Sequence, residues 1–247
     1  MEQIVPFFEL FLVDNITNTE LFCDTINQKE NCMKERSMMI ILGFAIAVAC
    51  SDKPRHEEAG ETAAEVTEPV KERHLFMDVH NLEPGKVTFE AVADAHQKDL
   101  ATQGKYDVSF IKYWVDEELG KVYCLAEAHD SSSVYNTHKE AHGLVPDMVS
   151  MVSDGEEAKI MGNNSLFLDI HYLGAGKVKA GDVAKAHEKD LAEQGKHGVS
   201  FINYWVDEKL GVVTCLSEAH DAEAIVSTHR AAHGLLPDKV EKVKQGQ

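Results

Sequence analysis

The chain has 247 residues, with 24 Lys and Arg against 42 Asp and Glu, and its formal net charge is −18. This charge argues against nucleic-acid binding, because phosphate recognition depends on clusters of Lys and Arg that the chain lacks. It suits a well-solvated protein that attracts cations. The length allows one or two domains.

Residues 1–50 combine an upstream extension with a segment of signal-peptide type. A charged stretch after Met33 precedes an apolar run at residues 38–49 and then Cys50. The run is too short to span a bilayer as a helix, and the pattern resembles a bacterial lipoprotein signal, although Ala47 stands where leucine is usual. An ordinary cleaved signal or a single apolar helix is the alternative. We predict a start at Met33, a lipid on Cys50, and a cell-envelope protein anchored to the membrane on its periplasmic or outer face.

The rest of the chain consists of a linker and two copies of one small module. Residues 51–73 are Glu-rich without apolar periodicity, which predicts a disordered acidic linker. Residues 75–149 then recur at 166–240 with a constant offset and no gap, and about 46 of the 75 aligned positions are identical. We therefore predict modules at residues 74–153 and 165–244, joined by a linker at residues 154–164.

Within the first module the pattern alternates strands and helices. Residues 75–80 form a short apolar strand, and residues 88–103 have helical spacing that ends at Gly104. Strands at 108–115 and 121–128 flank a turn at 116–120. Asp130 caps a second helix that runs to residues 140–142 and stops at Gly143, and Pro146 precedes a last strand at 148–152.

This order, βαββαβ, predicts an α+β fold made of two tandem ferredoxin-like modules. Both helices of a module cover one face of its antiparallel sheet, which leaves the other face bare. The two bare faces can pack sheet to sheet, as an intramolecular dimer of the dimeric α/β-barrel type. Four aromatic residues are expected to meet across that interface: Phe110, Trp114, Phe201 and Trp205.

Ten of the thirteen histidines fall on the repeat register, five in each module. Recent copies resemble each other everywhere, so shared histidines are also explained as inherited scaffold. Against that, none of the five shared histidines has diverged, whereas several positions taken to be on the surface have: Asp94/Lys185, Lys112/Asn203 and Glu140/Ala231. The pattern favours metal binding by at least some of the histidines.

Strand alternation predicts one polar group on the sheet face between the modules. In the first strand Leu75, Met77 and Val79 suit the helix side. Phe76, Asp78 and His80 are then expected to face the other module. In the third strand Val122, Cys124 and Ala126 suit the helix side, which sends Glu127 and His129 across to join Asp78 and His80. Cys124 and Cys215 are predicted to be buried free thiols that offer soft ligands.

A second group is predicted under the helices. His96 lies on the apolar stripe of the first helix, and His138 and His142 form an i,i+4 pair on the second, a spacing that can chelate one ion. Each histidine also has a structural explanation. His96 would be a hydrogen-bonded core residue, His138 would fill a packing gap, and His142 would interact with the helix C-terminal dipole.

Five blocks in each module resemble a known family. They include Asp78-Val79-His80, Ala95-His96-Gln97-Lys98-Asp99-Leu100 and His138-Lys139-Glu140-Ala141-His142-Gly143-Leu144. They are similar to small bacterial nickel-binding, nickel-responsive proteins catalogued as domain of unknown function 4242. The resemblance implies a dimerising ferredoxin-like fold that binds nickel through histidines and carboxylates, here His80, His96, His138, His142, Asp78, His171, His187, His229, His233 and Asp169. His129 and His220 depart from the family pattern.

Imidazole ligands suit Zn²⁺, Cu²⁺ and Fe²⁺ as well as Ni²⁺, so nickel is preferred only by the resemblance. The leading hypothesis is a lipid-anchored metal buffer or sensor. One alternative is a metal-assisted or acid–base enzyme with a pocket between the sheets, in which His80, Glu127 and His129 act. The other is a protein-interaction module without metal.

Overall fold

The computed structural model describes residues 71–155 and 157–247, which hold two βαββαβ repeats. The first consists of β1 His74–Asn81, α1 Phe89–Thr102, β2 Ser109–Asp116, β3 Lys121–Ala128, α2 Ser131–Ala141 and β4 Met148–Asp154. The second consists of β5 Ser165–Tyr172, α3 Ala180–His197, β6 Ser200–Asp207, β7 Val212–Ala219, α4 Ala222–Ala232 and β8 Lys239–Gly246. The predicted extension, lipidated Cys50 and most of the acidic linker lie outside the described residues. No helix in the described part is long and apolar enough to cross a bilayer.

The helix ends follow local chemistry, with one correction. Asp130 caps α2 by accepting a hydrogen bond from the Ser133 amide at 2.9 Å, as predicted. The prediction that Gly104 ends α1 is wrong, because Gly104 lies inside a 3-10 turn at Gln103–Tyr106. The left-handed residue that ends this segment is Asp107, with φ 53°, and its counterpart Gly198 has φ 68°.

The eight strands close into one barrel in the order β1-β3-β2-β8-β5-β7-β6-β4. Within a repeat the pairing is that of a ferredoxin-like sheet. The last residues of each repeat's final strand cross to the other repeat, since β4 pairs with β6 and β8 pairs with β2. The predicted sheet-to-sheet intramolecular dimer is therefore confirmed.

The barrel interior is an apolar core shared by both repeats. The rings of Trp114 and Trp205 meet there with centroids 4.9 Å apart, as predicted. Phe110 and Phe201 lie instead on the helix side, each close to a histidine ring. A β-bulge between Phe110 and Lys112 inserts one residue, and this reverses the side on which the strand's earlier residues point.

The predicted orientation of β1 is also wrong. Phe76 packs in the helix-side core, and Met77 packs in the barrel interior. Asp78 and His80 therefore face the helices, on the same side as Cys124 of β3, whose predicted orientation is confirmed. Because β1 is covered on both faces, apolar residues occupy successive positions, and alternation alone does not say which face is which.

One position taken for surface is buried. Asn203 is 4% exposed, and its amide donates to Asp154 Oδ1 at 3.0 Å. This contact joins β6 of the second repeat to β4 of the first, so the divergence between Lys112 and Asn203 concerns the junction of the repeats.

A single carboxylate holds the predicted linker in place. Glu218, at the end of β7, accepts hydrogen bonds at 2.5–3.1 Å from four consecutive backbone amides, those of residues 161–164. These bonds, which stabilise the charged form, lower the pKa of Glu218 although burial, the largest single influence, opposes them. The entry to β5 is thereby fixed to the strand that lies beside it.

Each repeat ends on a glycine that contacts a tyrosine ring of the other repeat. A Cβ at Gly246 would overlap the Tyr113 ring, and a Cβ at Gly155 would lie 2.5 Å from the Tyr204 ring. Only a glycine fits this close against each ring. On the helix side the same tyrosines contact His96 and His187, each with ring centroids 4.7 Å apart.

Candidate metal centre

Each repeat has one cluster of buried histidines and carboxylates between its helices and its sheet. In the first repeat β1 supplies Asp78 and His80, α1 supplies Asp99, and α2 supplies His138. His142 follows at the C-terminal end of α2. The two groups that the sequence predicted on opposite faces of the sheet are thus one group, because β1 faces the helices.

His138 is the centre of this cluster. Its Nε2 lies 3.3 Å from Asp78 Oδ2, and its Nδ1 lies 3.0 Å from Asp99 Oδ1. Asp78 Oδ1 is also 3.2 Å from His80 Nε2, and Asp99 Oδ1 is 3.1 Å from His142 Nε2. One imidazole therefore connects an inner pair, Asp78 and His80, to an outer pair, Asp99 and His142.

The second repeat reproduces this geometry. His229 Nε2 lies 3.2 Å from Asp169 Oδ1, and His229 Nδ1 lies 3.0 Å from Asp190 Oδ1. His171 Nε2 is 3.2 Å from Asp169, and His233 Nε2 is 3.1 Å from Asp190. Both repeats thus keep the same residues and the same contacts.

The cluster strongly favours a positive charge at its centre. Burial disfavours protonation of His138, but hydrogen bonds and charge from Asp78 and Asp99 outweigh it and raise the pKa of His138 to about 9. His229 behaves alike, with a pKa raised to about 9. Burial acts to raise the pKa of Asp78, yet the two histidines hold it below its usual value. A proton on His138 supplies the positive charge that a metal ion would otherwise provide.

The hydrogen bonds of the inner group are incomplete. Asp78 Oδ1 is fully buried, and its contact with His80 lacks hydrogen-bond geometry, so it has no hydrogen-bond partner among the described residues. In the second repeat Asp169 Oδ2 and His171 Nδ1 likewise lack partners within the described residues. Buried carboxylate oxygens without partners are costly, and a cation beside them offsets that cost. The residues present therefore fit a divalent metal ion.

The outer group, in contrast, is satisfied. The Leu144 amide donates to His142 Nδ1 at 3.1 Å, which leaves the proton of a neutral ring on Nε2, directed at Asp99. Asp99 then accepts from both His138 and His142. A carboxylate that accepts from the far nitrogen of a histidine in this way is the usual support of a metal-binding imidazole.

Two further residues border the cluster. His96 is buried in α1 beside the rings of Tyr113 and Phe110. The Cys124 thiol lies with Asp78, His80 and His138, and burial raises its pKa well above the usual value. An apolar pocket of about 100 Å³ opens next to this group, and one of about 240 Å³ opens in the second repeat.

Of the predicted metal ligands of the first repeat, Asp78, His80 and His138 lie within reach of one ion, and His142 lies with His138 and Asp99 in a second group. His96 belongs to neither group and lines the adjacent pocket. The structure does not bring His129 or Glu127 to them. His129 bonds to Asp107 at 2.7 Å, and its counterpart His220 lies against Asp221 at the surface. The residues of the predicted enzymatic pocket between the sheets therefore do not meet there.

Sequence reasoning missed Asp99 and Asp190. Asp99 is 3% exposed in a helix where most neighbours are solvated, and it lies three residues after His96. The sequence did hold a signal for it. Both repeats keep an aspartate three residues after a histidine, and residues three apart lie on the same face of a helix.

The comparisons with known proteins point to one family. The model described as "Nickel responsive protein SCO4226-like" matches residues 76–152 and again residues 167–243. The crystal structure of SCO4226 from Streptomyces coelicolor A3(2) also matches, with 31% sequence identity and a TM-score of 0.32. The match covers 34% of this chain and 100% of the SCO4226 chain.

More distant structures also match. A putative monooxygenase from Lactobacillus acidophilus is 9% identical, with a TM-score of 0.40 over 70% of this chain and 93% of its own. A chlorite dismutase from Candidatus Nitrospira defluvii is 7% identical, with a TM-score of 0.40 over 71% of this chain and 91% of its own. No curated protein matches the chain. Because the family model matches each repeat almost from end to end, the chain belongs to the nickel responsive SCO4226-like family and carries its module twice.

Proposed function

We propose that the protein binds two nickel ions, or similar divalent transition-metal ions, one in each repeat. The ligands in the first repeat are Asp78, His80 and His138, and those in the second are Asp169, His171 and His229. The observation that carries the proposal is the buried aspartate of each group, which has an oxygen without a hydrogen-bond partner among the described residues.

Geometry supports the inner group. Its candidate ligand atoms lie within 4.8 Å of one another, and contacts of 3.2–3.3 Å join each histidine to the aspartate. Atoms bound side by side to an ion with bonds of about 2.1 Å are roughly 3 Å apart, so little movement is needed to admit an ion. Imidazole and carboxylate are ligands that nickel shares with zinc, copper and iron.

The outer group supports the metal ligand His138. Asp99 holds the proton of His138 on Nδ1, which leaves Nε2 to face Asp78. On binding, the ion replaces the Nε2 proton, and the positive charge at the centre of the cluster is kept. Two matching sites in one chain double its capacity for metal, which suits a buffer.

Elemental analysis and calorimetry of the full chain, purified without a histidine tag, test the proposal. We expect two nickel ions per chain in the wild type and one in His80→Ala. A double variant, His80→Ala with His171→Ala, is expected to bind none.

The matched control is His129→Ala with His220→Ala, because these histidines are also shared by the repeats but lie away from the clusters. This control should keep two ions. Circular dichroism establishes that each variant is folded. Unchanged nickel binding in the His80/His171 variant would contradict the proposal.

We further propose that the protein acts at the cell envelope, held by a lipid on Cys50. The support is the sequence alone, in which the apolar run at residues 38–49 leads directly to that cysteine. An acidic stretch at residues 51–70 would then separate the metal-binding barrel from the membrane surface.

A second candidate function is metal-assisted catalysis. It is favoured by the apolar pockets that open onto the clusters, with Leu82, Val92 and Leu144 among the walls of the first. A small substrate could approach an ion there, and a bound ion can polarise it or activate water. Turnover of ester or peroxide probes by the nickel-loaded protein, lost in His80→Ala with His171→Ala, would support this function.

A further inference from the structure

The two halves of the barrel interior differ, although the two clusters on the helix side match. In the interior Lys121, Tyr123 and Glu241 form a buried network on one side of the barrel. The repeat register places Val212, Thr214 and Ser150 at the corresponding positions on the other side. The two sides of the barrel therefore have different sequences, which would be impossible in a dimer of two identical chains.

The first side is filled by hydrogen-bonded side chains. Glu241, which is 3% exposed, accepts from Lys121 Nζ at 2.6 Å and from the Tyr123 hydroxyl at 2.5 Å. Glu241 belongs to β8 of the second repeat, whereas Lys121 and Tyr123 belong to β3 of the first. The network thus joins the repeats, and Lys121 and Tyr123 also form part of the wall of the cavity on the other side.

The other side is hollow. A cavity of about 290 Å³ is lined by Ser150, Val212 and Thr214, together with Trp205 and other apolar side chains. The Ser150 and Thr214 hydroxyls border this space, and neither makes a hydrogen bond to the described residues. The mouth is formed in part by Met148 and Tyr172, which are 40% and 51% exposed.

We infer that this cavity binds an uncharged, mostly apolar organic molecule that carries one hydrogen-bonding group. A cavity of roughly 150 Å³ in a protein core accepts benzene, so this larger space suits a bicyclic molecule of about ten non-hydrogen atoms. The apolar walls contact its rings, and the free hydroxyls of Ser150 and Thr214 bind its polar group.

The charged side chains at the cavity already have partners, which argues against a charged ligand. Lys121 is paired with Glu241, and Asp207 Oδ1 accepts from the Leu210 amide at 2.8 Å. Lys239 Nζ lies over the Tyr172 ring, 5.3 Å from its centroid. Lys239 is exposed, so its charge is solvated outside the cavity, and the free groups on the cavity wall, the Ser150 and Thr214 hydroxyls, are neutral and would not offset the loss of water by a charged ligand.

The test uses three probes that share a naphthalene ring: 2-naphthol, which is uncharged at neutral pH, 2-naphthoate and 2-naphthylmethylammonium. Calorimetry of the full chain should give one 2-naphthol per chain and weaker binding of both charged probes. Absence of 2-naphthol binding would overturn the inference, and so would tighter binding of either charged probe.

The decisive variant copies the filled side onto the hollow side: Ser150→Glu, Val212→Lys and Thr214→Tyr together. Since the same three residues already pack in one chain, this variant should fold, keep two nickel ions and lose 2-naphthol binding. Retained 2-naphthol binding would place the probe elsewhere and refute the inference. If the triple variant does not fold, Thr214→Val removes one hydroxyl at nearly constant volume and should weaken binding about tenfold; unchanged affinity would again refute it.

Discussion

Replacing Asp99 by asparagine tests whether Asp99 binds the metal ion itself or only supports the proposed ligand His138. The Asp99 carboxylate accepts from His138 Nδ1 at 3.0 Å and is not one of the proposed metal ligands. If Asp99 only orients and polarises His138, asparagine keeps an oxygen acceptor and removes the charge. Loss of such a supporting carboxylate typically weakens metal binding by about 10–100-fold, or about 1.4–2.7 kcal/mol.

The measurement needs a chain with one working site. His171→Ala removes the second site, so that calorimetry reports the first alone. In this background we expect Asp99→Asn to retain one nickel ion at an affinity about 10–100-fold lower. Asp78→Asn in the same background should retain none, because it replaces a proposed ligand.

The opposite pattern would refute the reasoning. If Asp99→Asn abolishes binding while Asp78→Asn keeps it, the ion is held by Asp99, His138 and His142, which the structure also brings within reach of one another. An unchanged affinity in Asp99→Asn would show that the hydrogen bond to His138 does not act on the site.

Four further predictions concern stability, anchoring and duplication. Glu218→Gln should lower the free energy of unfolding by about 2–4 kcal/mol in urea titrations, because four amides lose a charged acceptor. The control Glu127→Gln, at an exposed ion pair, should lower it by less than about 1 kcal/mol. Folding lowers the pKa of Glu218, so its contribution to the free energy of unfolding should be present above the carboxyl's unfolded pKa and be lost as the pH falls through the folded pKa. The difference in unfolding free energy between wild type and Glu218→Gln should therefore become smaller in acid. Nickel at 100 times its dissociation constant should stabilise the fold by about 2.7 kcal/mol per site, and a chelator should reverse the rise in Tm. Cys50→Ser should release the protein from the membrane fraction in cell fractionation, and unchanged sedimentation with membranes would contradict the lipid anchor. An isolated fragment of residues 165–247 should dimerise or unfold in sedimentation experiments, because its half of the barrel interior, including Trp205, would be exposed to water.

The repeat and its element order could be predicted from the sequence because turns, caps and periodicity are local properties. Asp130 and Gly143 mark the ends of α2 in the structure as they do in the sequence. The sheet-to-sheet packing also followed, since a two-layer module leaves one sheet face bare.

The orientation of side chains was harder to predict. β1 is apolar on both faces, and the bulge after Phe110 has no glycine or proline to announce it. These two features decided whether Asp78 and Phe110 face the helices or the other repeat. Asp99 was overlooked because an acidic residue on an amphipathic helix is usually solvated. Its burial results from contacts with α2, which are remote in sequence.

The glycines at the ends of β4 and β8 make the two sites depend on each other's chain segments. Gly246 of the second repeat supports the Tyr113 ring that contacts His96 of the first, and Gly155 supports Tyr204 in the reverse direction. The substitution Gly246→Ala would therefore disturb the pocket built from residues more than one hundred positions earlier, and leave its own repeat's pocket intact. Each half of the molecule thus holds in place the tyrosine that lines its neighbour's pocket, so the two pockets are linked through the strand ends although each draws its buried histidines and aspartates from a single repeat.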